Sequence, residues 1–167
     1  MITIAYDETK SIRRLVDDLL KSESVPINDV RVTELAKHGS GIYVFFEGFD
    51  EKKNCIYVGK AVSQSLAQRI AIHFDTRDKT VAFIGGILRK FAKDRMPLID
   101  AITKMEESVS LIIITFRTHD ECAKVAPVLE KYLIHELGGN GSRPQYNRTR
   151  GLPPPNHDTA LRELLNR

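Results

Sequence analysis

Three things are scarce in this 167-residue chain, and each scarcity removes a class of function. Cysteine occurs twice, at Cys55 and Cys122, without metal-ligand spacing and without the density of a disulfide framework. Both therefore read as reduced, partly buried side chains, and a thiolate zinc site is not expected. Hydrophobic runs are short. Nothing approaches the roughly 18 apolar residues of a bilayer-spanning helix, and the opening MITIAYDETK lacks the charged-then-apolar pattern of a secretory leader. A soluble, cytoplasmic protein with no membrane partner is the expectation. Charge of one sign is lacking too: 25 Lys and Arg face 22 Asp and Glu, a net charge of +3. Such mild basicity permits a nucleic-acid partner without demanding one, so the clustering matters more than the total. Arg89, Lys90, Lys93 and Arg95 form one cluster, and Arg143, Arg148 and Arg150 another.

What is present suffices for one core. With 42% hydrophobic and 28% charged residues, the chain can bury a single domain and does not require two. Residues 9 to 22 carry Ile12, Leu15, Val16, Leu19 and Leu20 at i, i+3, i+4 spacing, which predicts an amphipathic helix ended by Pro26 and Asn28. Residues 41 to 47 and 55 to 59 are rich in β-branched and aromatic side chains and flank a polar segment, which predicts an antiparallel hairpin. Ser63 or Ser65 can cap a following helix, in which Leu66, Ile70 and Phe74 share one face and Arg69 and His73 another. Two more helices are expected between 79 and 107, separated at Pro97, with Gly85 and Gly86 weakening the first. The run VSLIIITF, 109 to 116, reads as a central strand covered on both faces. Thr118 to Glu121 then opens a helix as a capping box, running to about Leu137, where Pro127 is a point of bending or restart and Gly138 and Gly139 are a stop. No internal repeat is present.

This layout gathers a polar set: Tyr43, Tyr57, Lys60, Arg69, His73, Glu130 and Asn147. Singly, each has a plain structural reading. Tyrosine suits a half-buried strand, Arg69 with His73 can be a solvated helix face, and Glu130 can pair with a neighbouring lysine. An apolar setting for Glu130, however, calls for a cation or a metal, because an unpaired buried carboxylate is expensive.

With these residues the chain resembles the GIY-YIG endonuclease family. The two signature tripeptides stand as Gly41-Ile42-Tyr43 and Tyr57-Val58-Gly59, followed by Arg69 and His73 on the next helix, Glu130 on a later one and Asn147 beyond it. The segments LEKYLIHEL and RPQYN are also similar to the family's ending. The likeness covers about residues 39 to 150 and departs from the family in its spacings. The interval between the tyrosines is slightly long, and the stretched distance from Arg69 to Glu130 suggests a helical insert over about 77 to 107. The GGNGS segment lengthens the approach to Asn147.

The resemblance implies an α/β (α+β) domain with a small, mainly antiparallel three-stranded sheet flanked by helices. Residues 1 to 38 would be an N-terminal helical extension, 39 to 150 the nuclease domain, and 151 to 167 a C-terminal tail. It implies a metal-dependent endonuclease hydrolysing phosphodiester bonds in nucleic acid, DNA before RNA, with Glu130 holding Mg or Mn. A hard cation accepts one carboxylate, substrate phosphate and waters as a sufficient shell. Arg69 would answer the charge on phosphorus, and Tyr43 would be the base once Lys60, Arg69 and the metal lower its pKa. Tyr57 would hydrogen-bond the phosphate or the attacking water, His73 would orient a tyrosine or phosphate, and Asn147 would pin the backbone. Lys60, Arg69, Arg143, Arg148, Arg150, Arg89 and Lys90 would track the nucleic acid, with a homodimer or protein partner supplying specificity. The alternatives are a catalytically inactive nucleic-acid-binding module or subunit keeping the same fold, and an interaction domain in which the tyrosines are core.

Overall fold

The structure is a computed structural model and describes residues 3–49, 53–74, 97–138, 144–148 and 151. The first of the two helices expected between 79 and 107, with Gly85, Gly86, Arg89 and Lys90, lies outside the described residues, as do Arg143, Arg150 and the tail from 152.

The predicted hairpin forms. Strands β3 (Gly41–Glu47) and β4 (Asn54–Ala61) pair antiparallel, with Tyr43 opposite Gly59 and a register shift between Phe45 and Phe46. On the other side of β3 lies β5 (Val109–Thr115), also antiparallel, with Tyr43 opposite Ile113. Both faces of β3 are packed. Ile42, Val44 and Phe46 point to one core cluster, Tyr43 and Phe45 to the other. Each fully buried aliphatic or aromatic side chain here contributes about 1.5–3 kcal/mol, and a one-residue slip would send all of them to the wrong face. That penalty locks the register on which the tyrosine geometry depends.

The sheet is mixed and five-stranded among the described residues, not three-stranded as expected. Strands β1 (Thr3–Ala5) and β2 (Val25–Pro26) both join β5, the first parallel and the second antiparallel, and the order is β1-β5-β3-β4. The described residues ahead of β3 thus supply two strands of the sheet as well as helices. Three-residue and two-residue strands carry no readable alternation, and they form because β5 offers an unpaired edge whose backbone groups need partners. Pro26, which lacks an N–H, is tolerated on that edge.

Helices cover both faces. On one side pack α1 (Ile12–Lys21) and α5 (His119–Gly138), on the other α2 (Val32–Ala36), α3 (Leu66–Phe74) and α4 (Leu98–Ser108). α1 is capped by Ser11, whose Oγ accepts from the Arg14 N–H at 3.2 Å, and buries Ile12, Leu15, Val16 and Leu19. α3 opens on a reciprocal box: Ser65 Oγ accepts from the Gln68 N–H, and Gln68 Oε1 from the Ser65 N–H, both at 3.2 Å. α5 runs without interruption through Pro127. The described part of the anticipated insert, α4, buries Ala101 and Met105 in the same cluster as Tyr43, so it belongs to the sandwich.

Candidate active site

Each glycine of the paired tripeptides has a steric reason to be glycine. A Cβ on Gly59 would sit 2.4 Å from both Cζ and Oη of Tyr43, so the Tyr43 phenol lies directly over the Gly59 backbone. A Cβ on Gly41 would meet the Ile114 carbonyl oxygen at 2.6 Å and Leu66 Cδ1 at 3.2 Å, where β3 meets β5 and α3. Close approach, not turn formation, selects glycine at both places.

Tyr43 is completely buried. Its Oη lies 2.7 Å from His73 Nε2, and its ring packs edge-on to His73 and stacks on Tyr57, with centroids 5.4 and 6.1 Å away. The periodicity predicted Phe74 on the inward row of α3. Instead Leu66, Ile70 and His73 are buried and Phe74 is exposed, because the helix turns its His73 edge onto the tyrosines. Burial, then the nearby Arg69 guanidinium, push the His73 imidazole down to about 4, so it is neutral at pH 7. Burial also raises the phenols of both Tyr43 and Tyr57, while Arg69 pulls each down. The hydrogen bond between the two phenols lowers Tyr57 and raises Tyr43, so Tyr57 is the one favoured to ionise. The position expected to furnish a base, Tyr43, is therefore sealed from solvent and held in its neutral form by desolvation.

Lys60 follows Gly59 and so points to the opposite face, where its Nζ donates to Glu130 Oε2 on α5. The pair is only partly covered, with side chains 35% and 17% exposed, so an incoming ligand can reach both. They meet Tyr57 and Arg69 in a cleft of about 300 Å³ whose remaining wall is Ala61, at the end of β4, and the β4–α3 connection from Val62 to Gln64. Of the predicted site residues, Tyr57, Lys60, Arg69 and Glu130 line this cleft, while Tyr43 and His73 are buried among the aromatic rings behind Tyr57.

Asn147 acts on the other edge of the same strand. β4 is an outer strand of the sheet, and the side-chain amide of Asn147 brackets Val58: Oδ1 accepts from the Val58 N–H at 2.9 Å and Nδ2 donates to the Val58 carbonyl at 2.8 Å. The Tyr146 N–H donates to the Ile56 carbonyl at 3.0 Å. Segment 144–147 thereby covers the strand edge that carries Tyr57 and Gly59, and brings Arg148 close enough to lower the Tyr57 phenol. Ser63 and Gln64 also line the cleft; their one sequence signal is their place in the connection straight after Lys60.

Among the described residues no three His, Cys, Asp or Glu side chains gather as a ready ligand set. Among the described residues Glu130 is the one carboxylate lining the cleft, a donor set that suits a hard cation which keeps most of its waters and not a fully protein-ligated metal. No helix among the described residues is long and apolar enough to cross a membrane. No protein-family model, curated protein or solved structure matches the chain.

Proposed function

We propose that this protein is a metal-dependent endonuclease of the GIY-YIG type, hydrolysing phosphodiester bonds in nucleic acid, with DNA as the first substrate to test. The observation that carries this reading is the convergence of Tyr57, Lys60, Arg69 and Glu130 on one cleft, backed by the buried Tyr43–His73 pair.

Phosphodiester hydrolysis needs a polarised phosphate, an activated water and a stabilised leaving oxygen. Arg69 offers the nonbridging oxygens a two-pronged guanidinium contact. Glu130 would hold Mg or Mn, which supplies positive charge to phosphate and leaving oxygen when bound. Lys60, now paired with Glu130, is freed to contact phosphate when a cation takes its place on the carboxylate. Tyr57, as the cleft-facing phenol, is assigned the role of base in place of Tyr43. A hydrogen-bond chain from His73 through the Tyr43 hydroxyl to Tyr57 would stabilise its phenolate, and Arg69 adds to that. Tyr43 and His73 are then positioning residues.

The test is cleavage of labelled duplex, single-stranded and branched DNA with Mn or Mg. Glu130→Gln and Tyr57→Phe are expected to lose about 10²-fold or more. Tyr43→Phe should lose less and shift the pH–rate profile to higher pH, because Tyr57 forfeits its donor. A wild type inert on every substrate with both metals sinks the reading.

One observation favours a second reading, a nucleic-acid-binding module without turnover. The Lys60–Glu130 ion pair occupies the one cleft carboxylate and would be a permanent structural link. Wild-type binding without cleavage would support it.

A further inference from the structure

A second, larger cleft adjoins the first. It has a volume of about 630 Å³ and is formed by three chain segments at one end of the sheet: the approach to β3, the β4–α3 connection and the β5–α5 connection. Val62, Ser63 and Gln64 line both clefts and form the wall they share. The chemistry of the larger one is one-sided. Among the described residues, Lys37, His38, Arg117 and His119 line it together with serine and threonine hydroxyls, and no carboxylate does.

The two permanent cations have carboxylate neighbours outside the lining. Lys37 Nζ lies 2.7 Å from Glu34 Oε1, and Arg117 Nη1 3.8 Å from Glu8 Oε1. Those side chains are 41–67% exposed, and exposed pairs of this kind contribute about 0–1 kcal/mol, so a phosphate can displace them. The helix termini at this end add little. Ser65 and Gln68 already cap α3, while Thr118 Oγ1 and Glu121 Oε2 accept from the N–H groups of Glu121 and Arg117 ahead of α5. Attraction for an anion therefore rests on the side chains, with Arg117 able to grip phosphate bidentately and Ser40, 3.3 Å from His119 Nδ1, able to donate beside it.

We propose that this cleft is a second phosphate subsite, which takes a backbone phosphate of the same strand whose neighbouring diester lies in the Tyr57–Arg69–Glu130 cleft. The substrate class is then a polynucleotide crossing the β4–α3 connection, and a mononucleotide or an isolated diester would leave half the binding surface empty. The proposal rests on the nuclease reading for its first cleft and goes beyond it by naming where the strand continues.

The experiment measures affinity of the full chain for a fluorescent oligonucleotide in EDTA, as salt rises, for wild type, Lys37→Gln/Arg117→Gln and a control of equal charge change on α1, Arg13→Gln/Lys21→Gln. The subsite double variant is expected to bind about tenfold more weakly near 0.1 M salt and to flatten the log–log salt slope by about 1.5–2, one phosphate contact per cation. The control keeps the wild-type slope. A parallel assay follows Mn-dependent hydrolysis of bis(p-nitrophenyl) phosphate, a small diester that needs the first cleft alone; its rate should be the same in wild type and subsite variant. Equal slopes in all three proteins overturn the subsite, as does a wild type that binds no oligonucleotide at low salt. A wild type that hydrolyses neither substrate overturns the nuclease reading, while the salt slopes still decide the subsite.

Discussion

Gly59→Ala adds a single methyl group at a place where the structure leaves no room for it. The new Cβ would fall 2.4 Å from Cζ and Oη of Tyr43 and 2.7 Å from Cε2, all well inside contact distance. The obstacle is a rigid ring that cannot swing aside: Tyr43 is fully buried among Phe45, Tyr57 and His73, and its Oη is anchored 2.7 Å from His73 Nε2. Overpacking of this kind costs about 1–3 kcal/mol, and a buried hydrogen bond lost as the ring retreats adds about 1–3 kcal/mol. Gly59→Ala should therefore destabilise by about 2–6 kcal/mol. For a domain of this size that lowers Tm by roughly 4–24 °C. The sign is diagnostic, since alanine at an uncrowded strand glycine gains about 0.5–1 kcal/mol. Urea unfolding at unchanged m-value measures the effect. A double-mutant cycle with Tyr43→Leu isolates its cause: with the ring gone, the added methyl should cost little, giving a coupling of at least about 1 kcal/mol. Equal cost in both backgrounds, or a Gly59→Ala variant as stable as wild type, refutes the reasoning.

Three further outcomes follow from the same geometry. His73 titrates near 4 in the fold and near 6.5 unfolded, so the unfolded chain takes up the proton first. Stability from this group is complete above about pH 6.5 and falls as pH drops toward 4, by on the order of 3 kcal/mol in all; urea titrations between pH 7 and 4 should show that slope in wild type and lose it in His73→Asn. Asn147→Ala strips both hydrogen bonds from Val58, and should cost about 2–4 kcal/mol and speed amide exchange at Val58, with Asn147→Asp intermediate because it keeps the acceptor; unchanged exchange at Val58 would count against the edge-covering role. Lys60→Met removes the cation from Glu130, and calorimetry should find Mn binding about tenfold tighter, while nucleic-acid cleavage falls for want of a phosphate contact; unaltered Mn affinity would place the metal elsewhere.

The elements that were legible in the sequence are those whose pattern extends over several turns or strand repeats. α1, the β3–β4 hairpin, the β5 core strand and α5 all appear within one to three residues of their expected bounds, and the Ser65 cap and the Thr118 opening were visible as local chemistry. β1 and β2 were not, since two or three residues hold no period and their partner, β5, lies far along the chain. Asn147 was singled out in the sequence only through the resemblance; what the structure adds is that its side-chain amide makes two hydrogen bonds to the Val58 backbone.

By itself the sequence determined the longer strands and helices and which polar side chains they carry, because hydrophobic period, capping and glycine spacing are local properties. Only the tertiary structure decided what each residue faces. Adjacent strand positions point to opposite faces, so Lys60 reaches Glu130 while Gly59 lies beneath the Tyr43 ring. The rotation of α3 buried His73 and left Phe74 outside, and the closing of α4 and α3 over β3 sealed Tyr43 while Tyr57 kept the cleft. Exposure and pKa depend on the whole set of packed neighbours, most of them remote in the chain, and no local pattern records them.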